Sequence, residues 1–220
     1  MLTALILGWA VLYADRTALY PLLSVIAKSL GITSAGAGAV SSAYFLFYVL
    51  LQIPSGMLAD RWGTKRVLII MFALSGLGIL GFGLFGTTYL PLLFFSALHG
   101  FGAGAYYPCC FGTIMATVPP EKRGTSSGLI GIGMALGILG GMAASGPLYE
   151  FFGNYRQPFL VLAVPTVLML FAFVRLLPHA RPSAASPSLS VYGRLFRDRD
   201  IWKINAAIFC SLYGFWTAAT

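Results

Sequence analysis

The sequence predicts an all-α integral membrane protein, a six-helix bundle followed by the start of a seventh helix, and three observations predict it. The 220 residues are 58% hydrophobic and 9% charged, with mean hydropathy +0.84, far more apolar than a water-soluble domain. Apolar runs of about 20 residues, enough to cross about 30 Å of hydrocarbon at about 1.5 Å per residue, recur along the whole chain. Basic residues gather in alternate gaps between those runs.

Taken in order between polar or glycine and proline breaks, helix 1 is expected from about Leu2 to Ala27 and helix 2 from about Ala39 to Ala59. Helix 3 follows from about Val67 to Phe85, and helix 4 from about Leu90 to Val118. Helix 5 is expected from about Ser126 to Tyr149, and helix 6 from about Pro158 to Leu177. A seventh begins near Ile201 and runs to Thr220. The expected domains are a bundle over 1–177, a cytoplasmic linker over 178–200 and a partial seventh span over 201–220.

The net charge of +8 fits membrane orientation better than nucleic-acid binding, because the basic residues lie in short loops. One side of the bundle collects Arg61, Lys65, Arg66, Lys122, Arg123, Arg175, Arg181, Arg194, Arg197, Arg199 and Lys203. The other has Lys28 and Arg156, so a cell-membrane protein with a cytoplasmic N-terminus is expected. The linker opens as a proline/serine segment, PHARPSAASPS. SLSVYGRLFRDRD then reads as an amphipathic stretch for the anionic leaflet, or else as a disordered basic loop. The run ending at Thr220 reads as the first half of a twelve-helix chain whose C-terminal six-helix half is missing.

One stretch of helix 1, YADRTALYP, sets Asp15 beside Arg16 in an otherwise apolar run. A charge there costs at least a few kcal/mol and marks a functional position. Arginine stays protonated and presents a planar fork to a carboxylate or phosphate. Aspartate is the group that can switch, because burial favours its neutral form and a nearby cation its charged form. Neighbours on a helix point about 100° apart, so the two need not cancel. Two plainer readings are a structural ion pair, or a later start of helix 1 that leaves the pair at the membrane surface.

Between helices 2 and 3 lies GMLADRWGTKRV, in which Gly56 and Gly63 suit close approach and a tight turn. Asp60 meets the unfavourable end of a helix dipole there and therefore needs a partner. The stretch closely resembles the loop 2-3 signature of the major facilitator superfamily, with Gly56, Leu58, Ala59, Asp60, Arg61, Gly63, Lys65 and Arg66 in register. The resemblance implies a gate latch in which Asp60 joins a charge network with its basic neighbours. It extends over the whole chain in helix count, topology and linker.

Within that family, the Asp15-Arg16 pair followed by YFLFYVLLQIPSGMLADRWG is most similar to the anion:cation symporter branch. That resemblance implies Arg16 as substrate anchor and Asp15 as the proton-coupling group. Ala103 stands where the branch commonly has a second acid, and Ser96 where an arginine is common, which leaves Asp15 as the carboxylate carrier. In helix 5, Gly133, Gly137 and Gly141 recur every four residues and allow close helix approach. Ile138 follows Gly137, so the glycine-proline pair of drug antiporters is absent there.

Tyr44, Tyr48 and Gln52 recur every four residues on helix 2, and Tyr20 lies one turn beyond Arg16. With Asn205 they complete the expected substrate-binding set, each alternatively a packing or interhelical bonding residue. Ser96, His99 and Tyr106 can share a face of helix 4, where His99 reads as a satisfied histidine rather than a proton carrier. Gly100 to Ala105 matches G-x-G-x-x-A without a strand before it, which gives no support to dinucleotide binding. Cys109, Cys110 and Cys210 have no metal or redox spacing, and no enzyme motif occurs. The expectation is a secondary active transporter of a small organic anion coupled to protons or another cation, without cofactor, metal or nucleic acid. Proton-coupled drug efflux and a non-transporting membrane partner are the alternatives.

Overall fold

The computed structural model describes residues 1–178, 193 and 197–219, and the described residues are helical with no strand. The helices are α1 (Leu2–Thr17), α2 (Leu19–Leu30), α3 (Ser34–Trp62), α4 (Thr64–Phe85) and α5 (Tyr89–Ala103). Next come α6 (Tyr106–Thr117), α7 (Pro120–Phe152), α8 (Gln157–Leu176) and α9 (Arg199–Ala219). The chain divides into two compact units, Met1–Pro182 and Ser183–Thr220. In the second unit, α9 carries a Lys203–Asp200 ion pair at 2.8 Å. Most of the amphipathic linker stretch lies outside the described residues.

Two expected helices are interrupted, and prolines explain both breaks. Pro21 has no N–H to give the carbonyl of Thr17, and its ring crowds that carbonyl, so α1 stops at Thr17. Ala18 keeps helical angles (φ −59°, ψ −23°) and donates to Ala14 O at 3.0 Å, so α1 and α2 remain one span, Leu2–Leu30. Pro108 acts likewise on Gly104 and divides the expected helix 4 into α5 and α6. Separately these are 15 and 12 residues, each short of a membrane crossing, and they follow one another with only Gly104 and Ala105 between them.

Caps move other boundaries outward. Thr33 Oγ1 accepts from Gly36 N at 3.1 Å, which starts α3 at Ser34 rather than near Ala39. Pro120 occupies the first turn of α7 with Glu121 beside it, so that helix starts before the expected Ser126. The positive-φ residues Gly31 (φ 62°) and Gly153 (φ 66°) end α2 and α7.

Inside the first unit, side chains pack into two apolar clusters. One holds Leu12, Phe72, Ala103, Tyr106 and Phe173, and the other Ala18, Ile79, Leu92, Phe159 and Ala163. The outer faces remain apolar: Val49, Leu139, Leu168 and Phe171 are each more than 60% exposed. Such surface suits lipid, and packing between the helices then depends on close contact and hydrogen bonds rather than on water exclusion.

The glycines of α7 provide that contact with α1. A Cβ at Gly133, Gly137 or Gly141 would run into the backbone carbonyl of Ile6, Ala10 or Ala14 respectively. Both series advance by four residues, so α1, which carries the charged pair, lies directly on the α7 backbone.

Candidate functional site

Four helices place polar groups between the two apolar clusters. On α1 Asp15 lies between Leu12 and Ala18, and on α4 Ser75 lies between Phe72 and Ile79. On α5 Ser96 and His99 lie between Leu92 and Ala103, and on α8 Thr166 lies between Ala163 and Phe173. All five side chains are buried. Buried polar groups need partners, and most of these atoms have one.

Asp15 and Arg16 diverge, as their spacing requires. Asp15 meets α8, where Thr166 Oγ1 donates to its Oδ2 at 2.6 Å, while Oδ1 has no hydrogen-bond partner. Arg16 meets aromatic rings instead. Its guanidinium carbon lies 4.7 Å from the ring centres of Tyr13 and Phe45 and 5.9 Å from that of Tyr44, as cation–π contact requires. No ion pair joins Asp15 to Arg16, and Arg16 Nε is buried without a partner.

His99 Nδ1 lies 3.0 Å from Ser75 O and 2.9 Å from Ser75 Oγ. A carbonyl oxygen only accepts, so the ring proton is assigned to Nδ1; Nε2 has no partner. Ser96 Oγ donates to Val40 O at 2.7 Å and ties α5 to α3. Asp15, Arg16, Ser41, Tyr44, Ser96 and His99 line one cavity, together with Leu19, Ile79, Phe82 and Phe159. It offers about 20 Å³ to the centre of a water-sized sphere, room for roughly one water or one hydroxyl.

Of the expected substrate residues, Arg16 and Tyr44 reach this cavity together with Asp15. Tyr20 is within electrostatic reach of Arg16, and Tyr48 stacks on Tyr44 at 5.8 Å, but neither they nor Gln52 border the cavity. Asn205 belongs to the second unit, is exposed, and donates to Ile201 O at 2.9 Å. Tyr106 is also elsewhere, its hydroxyl donating to Leu5 O and its ring stacked on Trp9 at 4.7 Å. Sequence reasoning does not single out Ser41, Ser75 or Thr166. Thr166 had a signal, as the one hydroxyl in the apolar helix QPFLVLAVPTVLMLFAFVRL.

The loop between α3 and α4 turns on Gly63, whose φ of 86° and ψ of 142° are close to a glycine-only conformation. Lys65 Nζ donates to Leu177 O at 2.7 Å and so caps the end of α8. Asp60 lies near Cys109 of α6, and Arg61 and Arg66 are exposed. Gly56 faces Pro108 of α6, but a Cβ there would stand 3.5 Å away, an ordinary contact. Of the close approach and tight turn expected of this pair, the turn needs glycine at Gly63 through its backbone angle, whereas Gly56 makes no approach that a Cβ would prevent.

The sequence pattern of the Major Facilitator Superfamily matches residues 5–220. This chain belongs to that family. Major facilitator proteins are multi-pass membrane transporters rather than enzymes. Similar curated proteins include "Probable anion transporter 7" of Oryza sativa subsp. japonica, 34% identical over 155 residues, which cover 70% of this chain and 35% of the relative. The "Probable sulfoacetate transporter SauU" of Cupriavidus necator is 26% identical over an alignment of 247 residues, covering 100% of this chain and 55% of the relative. The voltage-gated purine nucleotide uniporter SLC17A9 of Mus musculus is 26% identical over 231 residues, covering 96% and 51%. The chain thus spans about a third to a half of the length of these relatives. A bacterial homolog of the human lysosomal transporter Spinster, solved inward-facing and unoccupied, superposes with a TM-score of 0.74 at 20% identity. That match covers 85% of this chain and 44% of the other, and it shows a shared major facilitator fold.

Proposed function

We propose that this major facilitator chain is the N-terminal bundle of an alternating-access transporter that moves a small organic anion, coupled to protons or another cation. The observation that carries the reading is the divergence of Asp15 and Arg16 at one buried cavity: the guanidinium lies on aromatic faces with Nε unpartnered, and the carboxylate does not neutralise it. Arg16 holds the anion, for which its permanent charge and fork suit it. Asp15 exchanges the proton at Oδ1, while Thr166 steadies the other oxygen. Tyr20, Tyr44, Tyr48 and Gln52 supply further polar and aromatic groups to the substrate path.

Relatives named for anions and for sulfoacetate support the substrate class. Asp60, with Arg61, Lys65 and Arg66, latches the loop between α3 and α4, and the side bearing those basic residues faces the cytoplasm of a cell membrane. Residues 178–200 then link the bundle to a seventh span over 201–220.

The test is uptake by the full-length gene product in proteoliposomes. Arg16→Lys is expected to depress anion uptake strongly, because the aromatic contacts and the bidentate fork are lost together. Asp15→Asn is expected to remove its pH dependence. Unchanged uptake and an unchanged pH profile in both variants would overturn the reading.

A further inference from the structure

We infer that the anion carries a hydrogen-bond donor no larger than a hydroxyl or an ammonium, and that His99 Nε2 selects for it. The inference rests on the reading of Arg16 as anion anchor and adds a second recognition point to that cavity. His99 is 4% exposed and cannot turn freely. Its Nδ1 is held by Ser75 O and Oγ, its ring lies 5.2 Å from that of Tyr44, and a Cβ at Gly78 would strike its backbone.

With the proton on Nδ1, the neutral ring leaves a fixed lone pair at Nε2. In its charged form Asp15 offers Oδ1 as a second buried acceptor without a partner at the same cavity. Ser96, one of the hydroxyl residues lining the same cavity, is already donating to Val40 O. A simple carboxylate or sulfonate brings only acceptors: it satisfies Arg16 and leaves both lone pairs buried and unpaired. A hydroxy or amino acid anion brings the missing donor. The cavity favours a small group, since it has room for roughly one hydroxyl. Sites built to bond a substrate O–H or N–H discriminate strongly against analogues that lack it, because their own polar groups are then stranded.

The experiment is direct binding to the purified full-length gene product with two matched series. One is propanoate, lactate, alanine and 2-methoxypropanoate; the other is ethanesulfonate, 2-hydroxyethanesulfonate, taurine and 2-methoxyethanesulfonate. The expected result is that the donor-bearing member of at least one series binds about ten- to a hundredfold more tightly than its plain and methoxy analogues. In His99→Phe that preference is expected to vanish, and in His99→Gln, which keeps an acceptor, to return in part. Plain, hydroxylated and methoxylated anions binding equally, with all of them weakened by Arg16→Lys, would overturn the inference and leave the anion site standing. That outcome would mean that a bridging water serves His99. Failure of both series to bind at all would overturn the inference and the anion reading together. The ligand series on the unmutated protein decides the matter even if the His99 variants do not fold.

Discussion

Thr166 Oγ1 donates to Asp15 Oδ2 at 2.6 Å, joining α8 to α1 between the two apolar clusters. Among the described residues it is the one side-chain hydrogen bond made by a carboxylate that is 2% exposed, and the same hydroxyl has only a long 3.3 Å alternative at Leu162 O. Thr166→Val keeps the shape and removes the donor, leaving Asp15 unpaired at both oxygens. The expected loss is about 1–3 kcal/mol, read as a lower unfolding midpoint of the detergent-purified protein. Thr166→Ser should restore most of it. A valine variant as stable as the parent would show that the bond contributes nothing.

The contact between α1 and α7 gives a second expectation with an internal control. Gly137→Ala drives a methyl into Ala10 O and the Tyr13 side chain, and such overpacking costs about 1–3 kcal/mol. At Gly140, on the same helix, an added methyl would have no atom within 4 Å. Gly140→Ala should therefore be neutral or stabilising by up to about 1 kcal/mol, the difference in helix propensity. Parallel thermal melts of the two variants check the sign of each effect.

The spans and the opposed directions of Asp15 and Arg16 were legible because both follow from local rules, the apolar run and the turn of about 100° per residue. The breaks at Ala18 and Gly104 were legible in principle, since Pro21 and Pro108 stand where their rings meet Thr17 and Gly104. Partner identity was not. Ser75 becomes a partner of His99 only because Gly78 and Gly102 let α4 and α5 touch backbone to backbone, and glycine content alone does not say which helix will arrive. Tyr48 and Gln52 keep the period of Tyr44 without bordering the cavity, because periodicity fixes a face but not the depth at which it opens.

Lys65 Nζ reaches Leu177 O at 2.7 Å, where the final carbonyls of α8 lack helical donors. Lys65→Met removes this charge-assisted cap and should lower stability by about 0.5–1.5 kcal/mol. Hydrogen exchange should show the loss at the end of α8, with the interior of α4 protected as before. Uniform loosening across the bundle would instead mean that the lysine acts through the loop and not through the cap.

The two glycines of GMLADRWG are expected to respond oppositely to alanine. Gly63 adopts φ 86° and ψ 142° while its N–H donates to Ala59 O at 2.8 Å, so a side chain there must be strained or the cap must break. Gly63→Ala should cost about 1–3 kcal/mol. Gly56 is helical, and its added Cβ would meet Pro108 at an ordinary 3.5 Å, so Gly56→Ala should leave stability unchanged or raise it slightly. Denaturation midpoints of the two variants separate backbone angle from packing as the reason for each glycine. If Gly56→Ala keeps its stability and still slows transport by the full-length gene product, then Gly56 serves the moving protein and not the conformation described.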